Sequence, residues 1–540
     1  MLKAFRLAPR NLPKRTAHIA AALCLISIVC SSQAARSQLT TAQYDNARTG
    51  ANLKETILTP ENVHSARFGK VFTIKVDGDL YAQPLYLPQL LVPGKGKHNT
   101  IFLATEHDSV YAFDADAPGD PFWHVNFTNG STITTLAARE VQCPFIRPEV
   151  GITPTPVIDI ESGTLYVLAR TKESGVYVQK LHALDVLTGA EKFGGPVAIK
   201  ASISRKVMGV FNGAVSFDPL RENPRAALLL TNGKIYLTWG SSCDVGPYYG
   251  WVMAYDARSL AQAGFFNAAA DGEEAGIWQS DAGPAADAEG NVYPVTGNGK
   301  FDAQSGGRNY GDTALKLVLT PQGFRVRDYF TPFNQEQLND NDLDLGSLGP
   351  LLLPDQPGAH PHLLLTGDKA GNVYLIDRDR MGKYHSGNNS HAVQTLRVKG
   401  GCYGAAAYWN QNVFLSCTDD SVRDYKVEGG TLSSQPIAET SKEFANPGAT
   451  LTVSSNGTKN GIVWLVETKA WNGQDQFAVL HAYDATNLAH ELYNSSQNVA
   501  RDGPGLAVRF VIPTVVNGRV YIGAKGELDV YGLLSAGKKH

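Results

Sequence analysis

The sequence predicts an all-β chain, an eight-bladed β-propeller of four-stranded blades closed by an N-terminal strand. Three observations carry that expectation: a repeated strand ending, a proline-led strand that opens many of the repeats, and an unequal strand count at the two ends of the chain. The first is a third strand that ends in two apolar residues and Asp, often small-aromatic-Asp, as in Ala112-Phe113-Asp114, Ala183-Leu184-Asp185, Ala254-Tyr255-Asp256, Leu375-Ile376-Asp377 and Ala482-Tyr483-Asp484. Degenerate copies are Ala314-Leu315-Lys316, Val422-Arg423-Asp424-Tyr425 and Asp529-Val530-Tyr531, which brings the count to eight.

The opening strands include Gln83-Pro84-Leu85-Tyr86, Thr155-Pro156-Val157-Ile158, Gly349-Pro350-Leu351-Leu352 and Ile512-Pro513-Thr514-Val515. Turns such as Glu289-Gly290-Asn291 and Asn517-Gly518 join them to second strands rich in Tyr and aliphatic residues. Composition agrees, because 53 Gly and 28 Pro punctuate short apolar runs with few long helical periodicities. A ring built by radial repetition leaves few open sheet edges.

Closure follows from the strand count. The last repeat supplies three strands, near 510–516, 519–523 and 527–533, whereas Phe68 to Ile74 precedes the first repeat and has no blade of its own. It is expected to be the fourth strand of blade eight, so that opening the ring would expose two edges. The domain plan is therefore 1–34 signal peptide, 35–67 N-terminal lead, 68–533 propeller and 534–540 polar tail.

The leader rests on Lys3, Arg6, Arg10, Lys14 and Arg15, an apolar stretch from Ile19 to Cys30, and the small-x-small sequence Ser32-Gln33-Ala34. A stretch that short makes no stable membrane span. A periplasmic or extracellular location is expected. The formal charge of -3, with no basic cluster in the body of the chain, argues against a nucleic-acid partner.

Once the leader is removed, four cysteines remain, and an oxidising compartment permits them to pair. Cys402 is expected in the inner strand of blade six and Cys417 at the end of the next strand, so a hairpin around Trp409 to Asn412 brings them together. Cys143, in the loop entering blade two, and Cys243, in the second-to-third loop of blade three, fall on one face. The expected bridges are Cys143 to Cys243 and Cys402 to Cys417. No Cys-x-x-Cys-His site exists, so covalent haem of that kind is excluded.

Blade ends such as Ala183-Leu184-Asp185-Val186-Leu187-Thr188-Gly189-Ala190-Glu191-Lys192-Phe193 resemble the repeat of the pyrroloquinoline quinone (PQQ) dependent alcohol dehydrogenases, in which an aromatic docks between blades. Phe193 and Trp123 are the expected docking aromatics. The resemblance extends over nearly the whole exported chain and assigns roles residue by residue. It implies Asp244 as an acidic calcium ligand, Asn298 as a second ligand, Asp344 as ligand and catalytic base, and Lys369 beside the quinone carbonyls. All four fall in loops that topology places on one face, and hard oxygens suit calcium. Arg147 is the candidate for the cofactor carboxylates, where a guanidinium suits bidentate pairing.

Two departures from the family pattern stand out. Its adjacent Cys-Cys pair is absent, and its floor tryptophan falls on Asp281, with Trp278 nearby as a substitute. Two readings stay open. One is a calcium- and PQQ-dependent dehydrogenase that oxidises an alcohol or sugar and hands electrons to a separate acceptor. The other is a non-catalytic propeller that binds a small-molecule ligand, glycan or protein in the same funnel.

Overall fold

A computed structural model describes residues 37–207, 210–279, 282–469 and 476–535. The leader, Asp281 and the last five residues lie outside them. Eight sheets form the blades of one ring. Blade 1 is typical, with strands Leu85–Val92, Gly96–Ala104, Ser109–Asp114 and Trp123–Asn126 paired in that order, and the first three strands of blades 2 to 8 follow in chain order within 157–185, 229–256, 285–320, 345–377, 407–428, 452–484 and 514–533. Alternation of side chains along each strand lets both sheet faces pack on neighbouring blades, so the core is a series of inter-blade clusters. The indole nitrogen of Trp123 donates to the Val186 carbonyl of blade 2 at 3.0 Å, which is the docking expected from the repeat.

Closure occurs as the strand count predicts. Phe68–Lys75 pairs antiparallel with Glu527–Leu533, from Phe68 opposite Leu533 to Lys75 opposite Glu527, and completes blade 8. Phe68 is fully buried and contacts the rings of Trp464, Tyr493 and Tyr531, so the seam is also a packed aromatic cluster.

The segment ahead of that strand is more than a lead. Residues 39 to 52 thread the central channel and touch all eight inner strands in turn. Leu39 exchanges backbone hydrogen bonds with Tyr86, and the carbonyls of Thr40, Asn46, Ala47, Thr49 and Gly50 accept from Ile158, Ala286, Leu352, Tyr408 and Val453. Asn46 donates to Leu230, and the Tyr44 hydroxyl and Asn52 amide take Val515. In blades 1, 2, 4, 5 and 8 the paired residue stands two positions after the opening proline. The innermost edge of each blade would otherwise leave such groups without a partner, so the thread satisfies them. Arg48 anchors it, with a fully buried guanidinium that donates to Thr41 Oγ1 and to the carbonyls of Ala42, Leu228 and Pro284.

Both expected disulfides are present, Cys143–Cys243 and Cys402–Cys417. Cys402 lies in the segment before the inner strand Ala407–Trp409 rather than within it. No helix among the described residues is long and apolar enough to cross a membrane.

Candidate functional site

Loops that enter inner strands and loops between second and third strands emerge at the same end of an antiparallel blade. Asp344 stands immediately before Leu345–Leu352, and Lys369 follows Leu363–Asp368 across the same blade. These loops meet at the channel mouth around a cavity of about 140 Å3 whose lining includes Asp244, Trp278, Asp344 and Lys369.

The polar groups form one connected set. Lys369 Nζ lies 2.5 Å from Asp344 Oδ2 and 2.8 Å from Asp342 Oδ1. Asp344 Oδ1 accepts from the Asn298 backbone N–H at 2.7 Å, and Asn298 Nδ2 donates to Asp342 Oδ1 at 2.9 Å. Asp244 accepts from the Tyr248 hydroxyl at 3.1 Å and is itself in the left-handed region at φ 54°. That conformation suits Asp better than most residues. Gly297 is needed for closeness: a Cβ there would sit 2.1 Å from Asp344 Oδ1 and 2.8 Å from Trp278 Cδ1.

Electrostatics follow from burial. Burial raises the Asp344 carboxyl against the opposing pull of Lys369, and it raises Asp244 in the same way. Burial would lower the Lys369 ammonium, but Asp344 and Asp342 outweigh it and hold the group firmly protonated.

Of the residues expected from sequence, Asp244, Trp278, Asp344 and Lys369 line the cavity, and Asn298 is tied to it by hydrogen bonds. Arg147 does not line it; Phe145 of the same loop does. Arg225, Tyr403, Arg509 and Phe510 also line it. The Arg225 and Arg509 guanidiniums lie 4.5 and 5.1 Å from the Phe510 ring centroid, and Arg509 lies 4.4 Å from that of Phe145. Each of these residues precedes an inner strand by a few positions, as Asp344 does, and that shared position was the signal that could have found them.

The residues fit the implied cofactors poorly. Cofactor-sized pockets measure roughly 300–1,000 Å3, and this cavity is well below that range. Among the described residues no three His, Cys, Asp or Glu side chains converge as a metal centre. The ammonium of Lys369 already neutralises Asp344, although the buried Asn298 Oδ1 has no hydrogen-bond partner.

No protein-family model and no curated protein sequence matches the chain. Its fold does match solved structures. A quinohemoprotein alcohol dehydrogenase from Pseudomonas putida HK5 aligns at TM-score 0.56 and 13% identity, over 93% of this chain and 81% of that one. The quinohemoprotein alcohol dehydrogenase of Comamonas testosteroni gives TM-score 0.56, 15% identity and the same coverages. A europium-containing methanol dehydrogenase gives TM-score 0.53 and 13% identity, over 92% of this chain and 98% of that one. The chain thus has the eight-bladed fold of the quinoprotein alcohol dehydrogenases. At these identities the likeness concerns the fold, and one fold hosts many functions.

Proposed function

We propose that this chain is an exported binding propeller on the quinoprotein fold, whose funnel takes a small anion-bearing ligand. The observation that carries this reading is the state of Asp344: both of its oxygens accept hydrogen bonds from within the protein, one from Lys369 and one from Asn298. A general base must have reach to a substrate proton, and this carboxylate is spoken for. The Arg225 and Arg509 guanidiniums on aromatic walls supply positive charge for an anion at the mouth. Two disulfides and the leader-like N-terminus support export.

The test is a calorimetric titration of PQQ with calcium into the purified protein. No saturable binding is expected at tens of micromolar, an affinity of about 6 kcal/mol. Stoichiometric binding of both together overturns the reading.

A calcium- and PQQ-dependent dehydrogenase of alcohols or sugars, with a separate electron acceptor, is the second reading. It is favoured by the gathering of Asp244, Asp344 and Lys369 at one cavity beside the unpartnered Asn298 Oδ1. It requires Lys369 to leave Asp344, so it predicts binding of PQQ and calcium together where neither binds alone.

A further inference from the structure

Blades 4 and 5 each break the repeat, and the two breaks meet. In five blades the third strand ends in Asp114, Asp185, Asp256, Asp377 or Asp484, and each of these carboxylates accepts from backbone N–H groups of the turn that follows. In blade 4 the corresponding position is Lys316, inside a longer strand, Ala314–Thr320. The residue after the turn aspartate is small and buried elsewhere, as Ala115, Val186, Ala257 and Ala485, but in blade 5 it is Arg378. Lys316 Nζ donates to the Arg378 carbonyl at 2.8 Å, and both side-chain cations lie 5.8 Å from the Tyr293 ring centroid.

Lys316 and Arg378 line a cavity of about 640 Å3 between the two blades, with Ala47 and Thr49 of the N-terminal thread also in its wall. It opens at the turn end of the strands, opposite the funnel. Its size falls within the range of small-molecule pockets, roughly 300–1,000 Å3. At depth, Asp287 is already engaged by Asn291 and the Tyr293 hydroxyl and stands 3.8 Å from Arg378. Lys316 and the exposed Arg327, also in the lining, form no ion pair among the described residues. Exposed Glu289, Asp355 and Asp379 stand at the mouth, the last two beside His362.

We propose that this cleft binds a small molecule with an anionic head, phosphate or carboxylate, on a hydroxylated body. The head lies against Lys316, Arg327 and Arg378, and the hydroxyls meet the acidic rim. The site is separate from the funnel and does not rest on the reading given above.

The test is calorimetric titration of glucose 6-phosphate, gluconate and neutral glucose into the full chain. Saturable binding of at least one anionic compound is expected, with none for glucose. Lys316→Gln is expected to weaken it about tenfold and the exposed Arg327→Gln about threefold, while Arg509→Gln in the funnel wall leaves it unchanged. Arg327→Gln keeps the test open should Lys316→Gln fail to fold. The proposal is overturned if neither anion binds at about 10 mM, if glucose binds equally, or if affinity follows Arg509→Gln instead. Whether phosphate or carboxylate binds tighter names the source of the head.

Discussion

Lys369 and Asp344 face each other at 2.5 Å across the channel mouth, with the carboxylate side chain 2% exposed and the lysine 19%. The two are unequal in what they leave behind. Lys369→Met strands a buried carboxylate, and breaking a buried pair in that way costs about 3–5 kcal/mol. Asp344→Asn is expected to be milder, because the amide oxygen still accepts from Asn298 and the lysine reaches solvent and Asp342. Urea unfolding of both variants and the double variant measures the coupling.

The ring seam gives a second expectation. Phe68 is fully buried against three aromatic rings where the two ends of the chain pair. Phe68→Ala is expected to cost about 3–5 kcal/mol, and deletion of 68–75 to abolish a single cooperative melt. A deletion variant that melts as cooperatively as the intact chain contradicts the seam.

That seam was legible because it is a matter of counting strands, and the blades were legible because Ala-Tyr-Asp endings recur. The funnel was partly legible: Asp344 and Lys369 sit at loop positions that topology sends to one face. Arg225, Tyr403 and Arg509 share that topology but carry no local pattern that marks them. The thread was illegible for a different reason. Most of its contacts are made by backbone carbonyls, which any sequence possesses, and the side chains that it does commit, Tyr44, Asn46, Arg48 and Asn52, form no repeated pattern.

Arg48 therefore tests the thread. Its guanidinium satisfies the carbonyls of Ala42, Leu228 and Pro284. Each carbonyl left unsatisfied costs about 1–3 kcal/mol. Arg48→Met is expected to lose at least about 3 kcal/mol and to speed hydrogen exchange at Ile158, Ala286 and Leu352, whose N–H groups depend on the thread. Exchange unchanged at those amides argues that the thread is held elsewhere.

Blade 7 carries a pH dependence of defined sign. His481 is buried between Glu467 Oε2 at 3.2 Å and Glu491 Oε1 at 2.7 Å. Burial would lower its pKa, but the two carboxylates outweigh burial and raise it above 6.5. Its contribution is complete below 6.5 and is lost as pH rises through the raised value. Burial would raise Glu467, but His481 and Lys442 outweigh it and bring it down to about 2. That contribution is present above 4.5 and lost as pH falls toward 2. Stability from this cluster peaks between those limits, and Glu467→Gln is expected to flatten both limbs of the melting temperature against pH.

The two disulfides differ in what they hold. Cys143–Cys243 spans 100 residues and Cys402–Cys417 spans 15. In the chain-entropy account the longer loop contributes about 4.7 kcal/mol and the shorter about 3. Replacing the first pair by alanine is thus expected to destabilise the protein more than replacing the second, by about 1.7 kcal/mol. Position separates them further. Cys243 and Asp244 are consecutive left-handed residues, at φ 53° and 54°, so the bridge fixes a backbone conformation that points Asp244 at the funnel cavity. Cys402–Cys417 spans a segment of blade 6, and neither sulfur lines that cavity. Loss of the first bridge should therefore change the chemical shift of Tyr248, whose hydroxyl donates to Asp244, while loss of the second leaves it in place. Equal shifts in the two variants, or a larger loss of stability from the shorter loop, contradict this division of labour.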